Sequence, residues 1–269
     1  MTWKAVARSA LGTSHRDKGI PCQDYGAYRS FDDGNIIVGA VADGAGSAKY
    51  ADVGAKLAVR GALLCTQKWF EWLGRQKVSL RSLSKQAITK HLNKTLEIVA
   101  KILEKQAIAR DHSVHDFNCT LLLFIATPEW VAAAQVGDGF IVVKPVGQDY
   151  QLVFQPDKGE FINQTTFVTS PDCLTEMKTE VFLNQYEFIC ASTDGLERLA
   201  IQTFDWKPGN GFFQPLQEYM QTTAYPEVSD EYIVSFLNSE RLNARTDDDK
   251  TLLLCLYHRY PYLPMKGYR

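Results

Sequence analysis

Three times along this chain an apolar, strand-like run ends in a small residue followed by Asp-Gly. The runs are Ile36–Ala42 before Asp43-Gly44, Trp130–Gly137 before Asp138-Gly139, and Glu187–Thr193 before Asp194-Gly195. An aspartate closing a buried strand puts its carboxylate at the rim of the core. The glycine after it lets the chain turn sharply and brings the backbone close to whatever the carboxylate holds. A single Asp-Gly is an ordinary turn dipeptide. Three of them behind strongly apolar strands constrain the fold more tightly than turn chemistry alone requires.

Two further acidic points extend the set. Gln23-Asp24 precedes the run Tyr25–Ser30, and Asp247-Asp248-Asp249 stands directly before the apolar run Thr251–Tyr257. Alone, the aspartate triplet reads as a solvated loop. Adjacent carboxylates at a strand start repel one another unless a cation lies between them. Five separated acidic points at strand ends, with no histidine or cysteine cluster, describe an all-oxygen ligand set, which hard cations such as Mg²⁺ and Mn²⁺ prefer.

The remaining elements follow from periodicity. Asp32-Asp33-Gly34-Asn35 has hairpin-turn chemistry between two β-type runs. A long helix is predicted from about Ala51 to Leu73, and a second, N-capped by Ser84, to about Arg110. Ile88, Leu92, Leu96, Val99 and Leu103 form its apolar stripe, with Lys90, Lys94, Lys101 and Lys105 opposite. That basic face reads as a solvated surface or as a dock for an acidic partner. From Phe117 consecutive strands follow, then a less regular polar stretch at about 155–178, two more strands, two helical segments and a closing strand. No repeat or long linker divides the 269 residues, so one α+β domain is expected.

Composition removes several function classes. With 29 basic and 31 acidic residues the formal net charge is −2, which gives no electrostatic reason for nucleic acid or an anionic membrane as main partner. No apolar run approaches a membrane span, and the start lacks the apolar core of a signal peptide, so a cytoplasmic protein is expected. The six cysteines form no C-x-x-C pair, and several lie in apolar strings where a thiol packs as a small core residue. No cysteine precedes a glycine-containing loop and an arginine, so a thiol-dependent phosphatase cradle is missing, as is H-E-x-x-H.

VGAVADGAGSAKYADVGAKLAV, AAAQVGDGFIVV, FICASTDGLERL and DDDKTLLLCLY occur in the order and context of the metal-dependent type 2C (PPM) serine/threonine protein phosphatases. GTSHRDKGIPCQDYGA and KGEFINQTTF resemble a bacterial branch of that family, and the likeness runs from about Gly12 to Tyr257. The resemblance implies a central sandwich of two antiparallel sheets flanked by helices, in four layers α/β/β/α, as one domain over 1–269 with a variable flap at about 155–178. It implies two Mn²⁺ or Mg²⁺ ions, bridged by Asp43, with the Gly44 carbonyl on one and Asp194 and Asp248 on the second. Asp24 would act through metal-bound water, and Asp138 with Asp194 would match a third, weaker metal position.

The implied chemistry is hydrolysis of phosphoserine and phosphothreonine in proteins by water activated between two cations, which also neutralise phosphoryl charge. Phosphate-monoester hydrolysis is among the slowest uncatalysed reactions, so electrostatic stabilisation by metals suits it. A monomer working opposite a serine/threonine kinase is expected. Eukaryotic members carry histidine directly after Asp-Gly, where this chain has Ala45. Arg16 is the nearest candidate for binding substrate phosphate, and His15 is a candidate phosphate ligand or acid. The missing histidine leaves a second reading open, a pseudophosphatase that uses the fold to regulate a partner.

Overall fold

The computed structural model describes residues 2–155, 165–202 and 204–258. The chain opens with β1 (Thr2–Ala10), a short helix α1 (Thr13–Lys18), and the hairpin of β2 (Tyr25–Phe31) and β3 (Ile36–Ala42). Two long helices follow, α2 (Ala51–Arg75) and α3 (Lys85–Ala109), and then β4 (Leu121–Ala126), β5 (Val131–Val136), β6 (Phe140–Pro145) and the two-residue β7 (Gln151–Leu152). The second half runs through α4 (Cys173–Glu176), β8 (Lys178–Phe182), β9 (Tyr186–Ser192), α5 (Glu197–Ala200) and the small ribbon of β10 (Ile201–Gln202) and β11 (Lys207–Pro208). It closes with α6 (Asn210–Thr222), α7 (Glu231–Leu237), α8 (Glu240–Asn243) and β12 (Lys250–His258).

Strand periodicity sorts these elements into layers. One five-stranded antiparallel sheet has the order β1-β12-β9-β6-β7, the other β2-β3-β4-β5-β8. Successive residues of a strand face opposite sides. In β3 and β4, Val38, Ala40, Leu121, Leu123 and Ile125 pack against Ala58, Leu92, Leu96 and Val99 of α2 and α3. Their neighbours Ile37, Val41, Leu122 and Phe124 face Ile141, Ile189, Leu253 and Cys255 of the other sheet. That sheet turns Phe140, Phe188, Cys190 and Leu254 outward onto Phe213, Leu216 and Met220 of α6 and onto Ile233 of α7. The result is the expected α/β/β/α sandwich, and burial on both faces explains why β3, β4 and β12 read as unbroken apolar runs.

Turn chemistry behaves as predicted at the first hairpin. Phe31 pairs with Ile36, and Asp32, Asp33 and Gly34 carry positive φ values of 52°, 51° and 86°. Ser84 caps α3, its hydroxyl accepting from the Ala87 N–H at 3.2 Å. Two expectations change. The polar loop after β1 contains α1, which no periodicity announced because it has no buried residue. The last of the consecutive strands expected after Phe117, before the polar stretch at about 155–178, shrinks to the two-residue β7. Of the stretch at 155–178, residues 156–164 lie outside the described residues, and the rest carries α4 and leads into β8. Among the described residues no helix is long and apolar enough to cross a membrane. All six cysteines are free, four of them buried.

Candidate active site

The antiparallel registers bring the acidic strand ends to one edge of the sandwich. In one sheet Tyr25 lies opposite Ala42, and Leu121 opposite Val136, so Asp24, Asp43 and Thr120 share an end with Asp138. In the other, Ser192 lies between Phe140 and Leu252, and Ala10 pairs with Lys250, which places Asp194 beside the Asp247–Asp249 loop and α1. Two glycines permit that approach. A Cβ on Gly195 would stand 2.0 Å from the Asp249 carbonyl oxygen, and one on Gly12 would stand 2.3 Å from the Asp248 carbonyl carbon.

Backbone contacts hold the Asp43-Gly44 dipeptide. The Asp43 N–H donates to the Thr120 hydroxyl at 2.9 Å, and the Asp43 carbonyl accepts from the Thr120 N–H at 2.8 Å. The Gly44 N–H donates to the Gln23 carbonyl at 3.1 Å, tying Asp43-Gly44 to the segment that carries Asp24. Asp24 is 3% exposed and accepts from the Thr193 hydroxyl at 2.7 Å. Asp138 is half-buried and accepts from the Thr165 hydroxyl at 2.7 Å, so the described part of the 155–178 stretch reaches the acidic edge.

Electrostatics show how the carboxylates face one another. Burial, followed by the charge of Asp249 and partly offset by the Thr193 hydrogen bond, pushes the Asp24 carboxyl up to about 7. Asp43 is held well above the ordinary carboxylate range, by burial first and then by Asp24, Asp194 and Asp248. Asp194 rises to about 8 through burial, then Asp138, Asp248 and Asp24. Asp248 lies on the exposed rim, where partial burial pushes its carboxyl up against the Asp249 N–H, which donates to its Oδ1 at 2.8 Å; the Asp249 charge adds to the rise and His15 opposes it. Like charges gathered this closely destabilise the ionised set. Buried Lys250 feels the charges of Asp249, Asp248 and Asp24, but its Nζ donates to the Asp248 carbonyl and to Asn243 Oδ1, each at 3.1 Å, and to no carboxylate of the set. Among the described residues none of Asp24, Asp43, Asp194 and Asp248 is ion-paired with a lysine or arginine.

The donor set therefore fits a hard divalent cation: carboxylate and carbonyl oxygens, converging and without a lysine or arginine ion pair among the described residues. Among the described residues no three histidine, cysteine, aspartate or glutamate side chains form a closed ligand group. A cation at this edge would complete its shell with backbone carbonyls such as that of Gly44 and with water, as Mg²⁺ commonly does.

The sequence reading singled out Asp248 of the triplet, and the structure adds Asp249, which is 2% exposed. Its Oδ1 accepts from the Gly12 N–H at 2.7 Å, and its Oδ2 from the Gln23 N–H at 2.6 Å. The same Oδ2 lies 2.9 Å from His15 Nδ1. His15 thus joins the acidic edge, with its side chain 14% exposed, while Arg16 on the same short helix is exposed. Thr120 and Thr193 also passed unnoticed in the sequence. The threonine after each apolar run or before it carries no signal until the partner it bonds is known.

A family model described as Protein phosphatase 2C matches residues 11–238. Serine/threonine-protein phosphatase 3 of Escherichia coli (strain K12) is 34% identical over 262 residues, covering 96% of this chain and 99% of its own length, and so extends past the Asp247–Asp249 loop. A serine/threonine phosphatase structure from S. agalactiae superposes with a TM-score of 0.64 at 13% identity, over 95% of this chain and 100% of that one. PppA of Pseudomonas aeruginosa superposes with a TM-score of 0.59 at 17% identity, over 95% and 98% of the two chains. The matched span takes in four of the five acidic points, the curated relative spans the fifth, and the solved structures share the sandwich: this chain belongs to the protein phosphatase 2C family.

Proposed function

We propose that this chain hydrolyses phosphoserine and phosphothreonine esters of proteins at the acidic edge of the sandwich, with Mn²⁺ or Mg²⁺ as cofactor. The observation that carries the assignment is the convergence of Asp24, Asp43, Asp194 and Asp248 without a lysine or arginine ion pair among the described residues. Divalent cations bound there would acidify water and neutralise the phosphoryl group. Asp43 and the Gly44 carbonyl would hold one ion, Asp43 with Asp194 and Asp248 a second, and Asp138 with Asp194 a third, weaker one. Asp24, fixed by Thr193, would orient water at the first position. α1 carries His15 and Arg16 to the rim, where Arg16 is assigned to the substrate phosphate and His15 to phosphate binding or acid catalysis.

The chain is assigned as one domain over 1–269, with the segment at about 155–178 as a flap bordering the site, supported by the Thr165–Asp138 contact. We assign it to the cytoplasm, as a monomer opposite a protein kinase. The pseudophosphatase reading rests on Ala45 alone, and none of the relatives matched favours it.

Purified protein supplied with Mn²⁺ is expected to release phosphate from a phosphothreonine peptide and from p-nitrophenyl phosphate. Asp43→Asn is expected to lower turnover at least 10²–10³-fold, about the loss seen when one charge-stabilising group leaves an active site. Wild-type protein without Mn²⁺-dependent turnover, or near-normal turnover in the variant, would sink the assignment.

A further inference from the structure

Gln135 has no place in the ligand scheme above, yet it is 1% exposed and grips the turn that carries Asp138. The same face of β5 sends Val131 and Ala133 into the apolar layer between the sheets, and two residues further on it presents an amide instead. Gln135 Nε2 donates to the Gly137 carbonyl at 3.0 Å and to the Gly139 carbonyl at 2.8 Å, one on each side of Asp138. Both partners are acceptors, so the NH₂ group must face the turn and Oε1 must face away from it. Among the described residues that Oε1 has no hydrogen-bond partner. A buried acceptor left unpaired costs stability, so this amide calls for a reason beyond packing.

The turn it grips is pinned on both flanks. Gly137 has a φ of 97°, and a Cβ there would stand 2.4 Å from Cγ2 of Thr120, whose hydroxyl holds the Asp43 N–H. A Cβ on Gly139 would stand 2.7 Å from the Ser192 carbonyl oxygen. Phe140 pairs with Ser192, so carrying the antiparallel register two residues further sets Asp138 opposite Asp194. Asp138 is accordingly the strongest of the charges acting on Asp194. From the other side, the Thr165 hydroxyl holds the Asp138 carboxylate itself.

We infer that Gln135 is a positioning residue: by holding the carbonyls on either side of Asp138 it keeps that carboxylate opposite Asp194, and so sets the affinity of the weakest of the proposed cation positions. The inference rests on the ligand scheme of the phosphatase reading and on none of its chemistry. Groups that orient a metal ligand without touching the metal commonly govern its affinity, and Gln135 does so through the backbone of the ligand's own turn.

Gln135→Met keeps the length of the side chain and removes both donors. Mn²⁺ binding to the full chain, followed by electron paramagnetic resonance of the free ion, is expected to show the weakest phase loosened about 10–100-fold in this variant, with tighter binding unchanged. Asp138→Asn should loosen the same phase. The double variant should be no worse than Asp138→Asn alone, because Gln135 acts only through Asp138. An unchanged weak phase in Gln135→Met, equal loosening of every phase as from a merely structural amide, additive losses in the double variant, or a wild type lacking the weak phase would overturn the inference. Nitrogen-15 spectra of the wild type titrated with diamagnetic Mg²⁺ give a second reading. The side-chain amide signal of Gln135 is expected to move in step with the weakest phase, and to stay still in Asp138→Asn. A signal that stays still in the wild type would overturn the inference even if Gln135→Met failed to fold. Protein that binds Mn²⁺ in the expected way yet releases no phosphate would overturn the phosphatase reading and leave the role of Gln135 standing.

Discussion

At one end of the sandwich the strands finish in carboxylates whose burial and mutual repulsion push them up to about 7 at Asp24 and about 8 at Asp194. At the other end, past Phe31, Thr127 and Tyr257, lies an open cavity of about 680 Å³ walled by Phe70, Leu73, Val78 and Leu80. There Phe31 meets Phe70 edge-on at 5.0 Å between ring centres, and the charged groups Arg81 and Glu129 pair with each other at 2.9 Å on the surface. At the apolar end Arg81 and Glu129 form an ion pair, whereas at the acidic edge none of Asp24, Asp43, Asp194 and Asp248 is ion-paired with a lysine or arginine among the described residues. An open apolar cavity alone thus says little about chemistry in this molecule, and clustered, strongly perturbed carboxylates say more.

Substituting matched residues at the two ends should show the difference most strongly. Asp194→Asn is expected to reduce Mn²⁺-dependent turnover by about 10²–10³-fold, as loss of a charge-stabilising group does. In metal-free protein the same change should raise stability by about 1 kcal/mol, because it removes one of several repelling charges. Phe70→Ala should do the reverse, leaving turnover unchanged and lowering stability by about 2 kcal/mol for a half-buried aromatic. Thermal melts and initial rates on both variants check this, and a rate loss in Phe70→Ala would break the division between the ends.

A smaller effect belongs to the helical layer. His91 of α3 stacks on Trp69 of α2 at 3.9 Å between ring centres, and burial lowers its pKa from 6.5 to about 4. The unfolded chain then binds more protons between those values, so stability is full above pH 6.5 and falls as pH drops toward 4. At pH 5 the loss is about 2 kcal/mol at most, since the ring keeps some solvent contact. Denaturant titrations at pH 5 and pH 7 should show this dependence in the wild type and a weaker one in His91→Gln. Smallest is the cap of the same helix: Ser84→Ala should cost about 1 kcal/mol by freeing the Ala87 N–H, with turnover untouched.

Much of this was legible in the residues. The strands were visible because burial on both faces makes them continuous apolar runs, and α3 because Ile88, Leu92, Leu96, Val99 and Leu103 keep helical spacing. Asp24, Asp43, Asp138, Asp194 and Asp248 were legible as strand-end carboxylates, and the structure brings them to one edge. α1 was not, since a six-residue helix with no buried face leaves no periodicity to read. Asp249 was not either, because in an aspartate triplet the member facing inward depends on which backbone N–H groups come within reach.

The sequence by itself determined the composition of the site and the order of its parts, because strand ends and turns are local and Asp-Gly marks them. The tertiary structure alone decided which member of the aspartate triplet turns inward: Asp249, which holds His15 and the starts of α1 and β2. That choice depends on close approaches between Gly12 and Asp248 and between Gly195 and Asp249, segments far apart along the chain that meet only once both sheets have closed on their shared core.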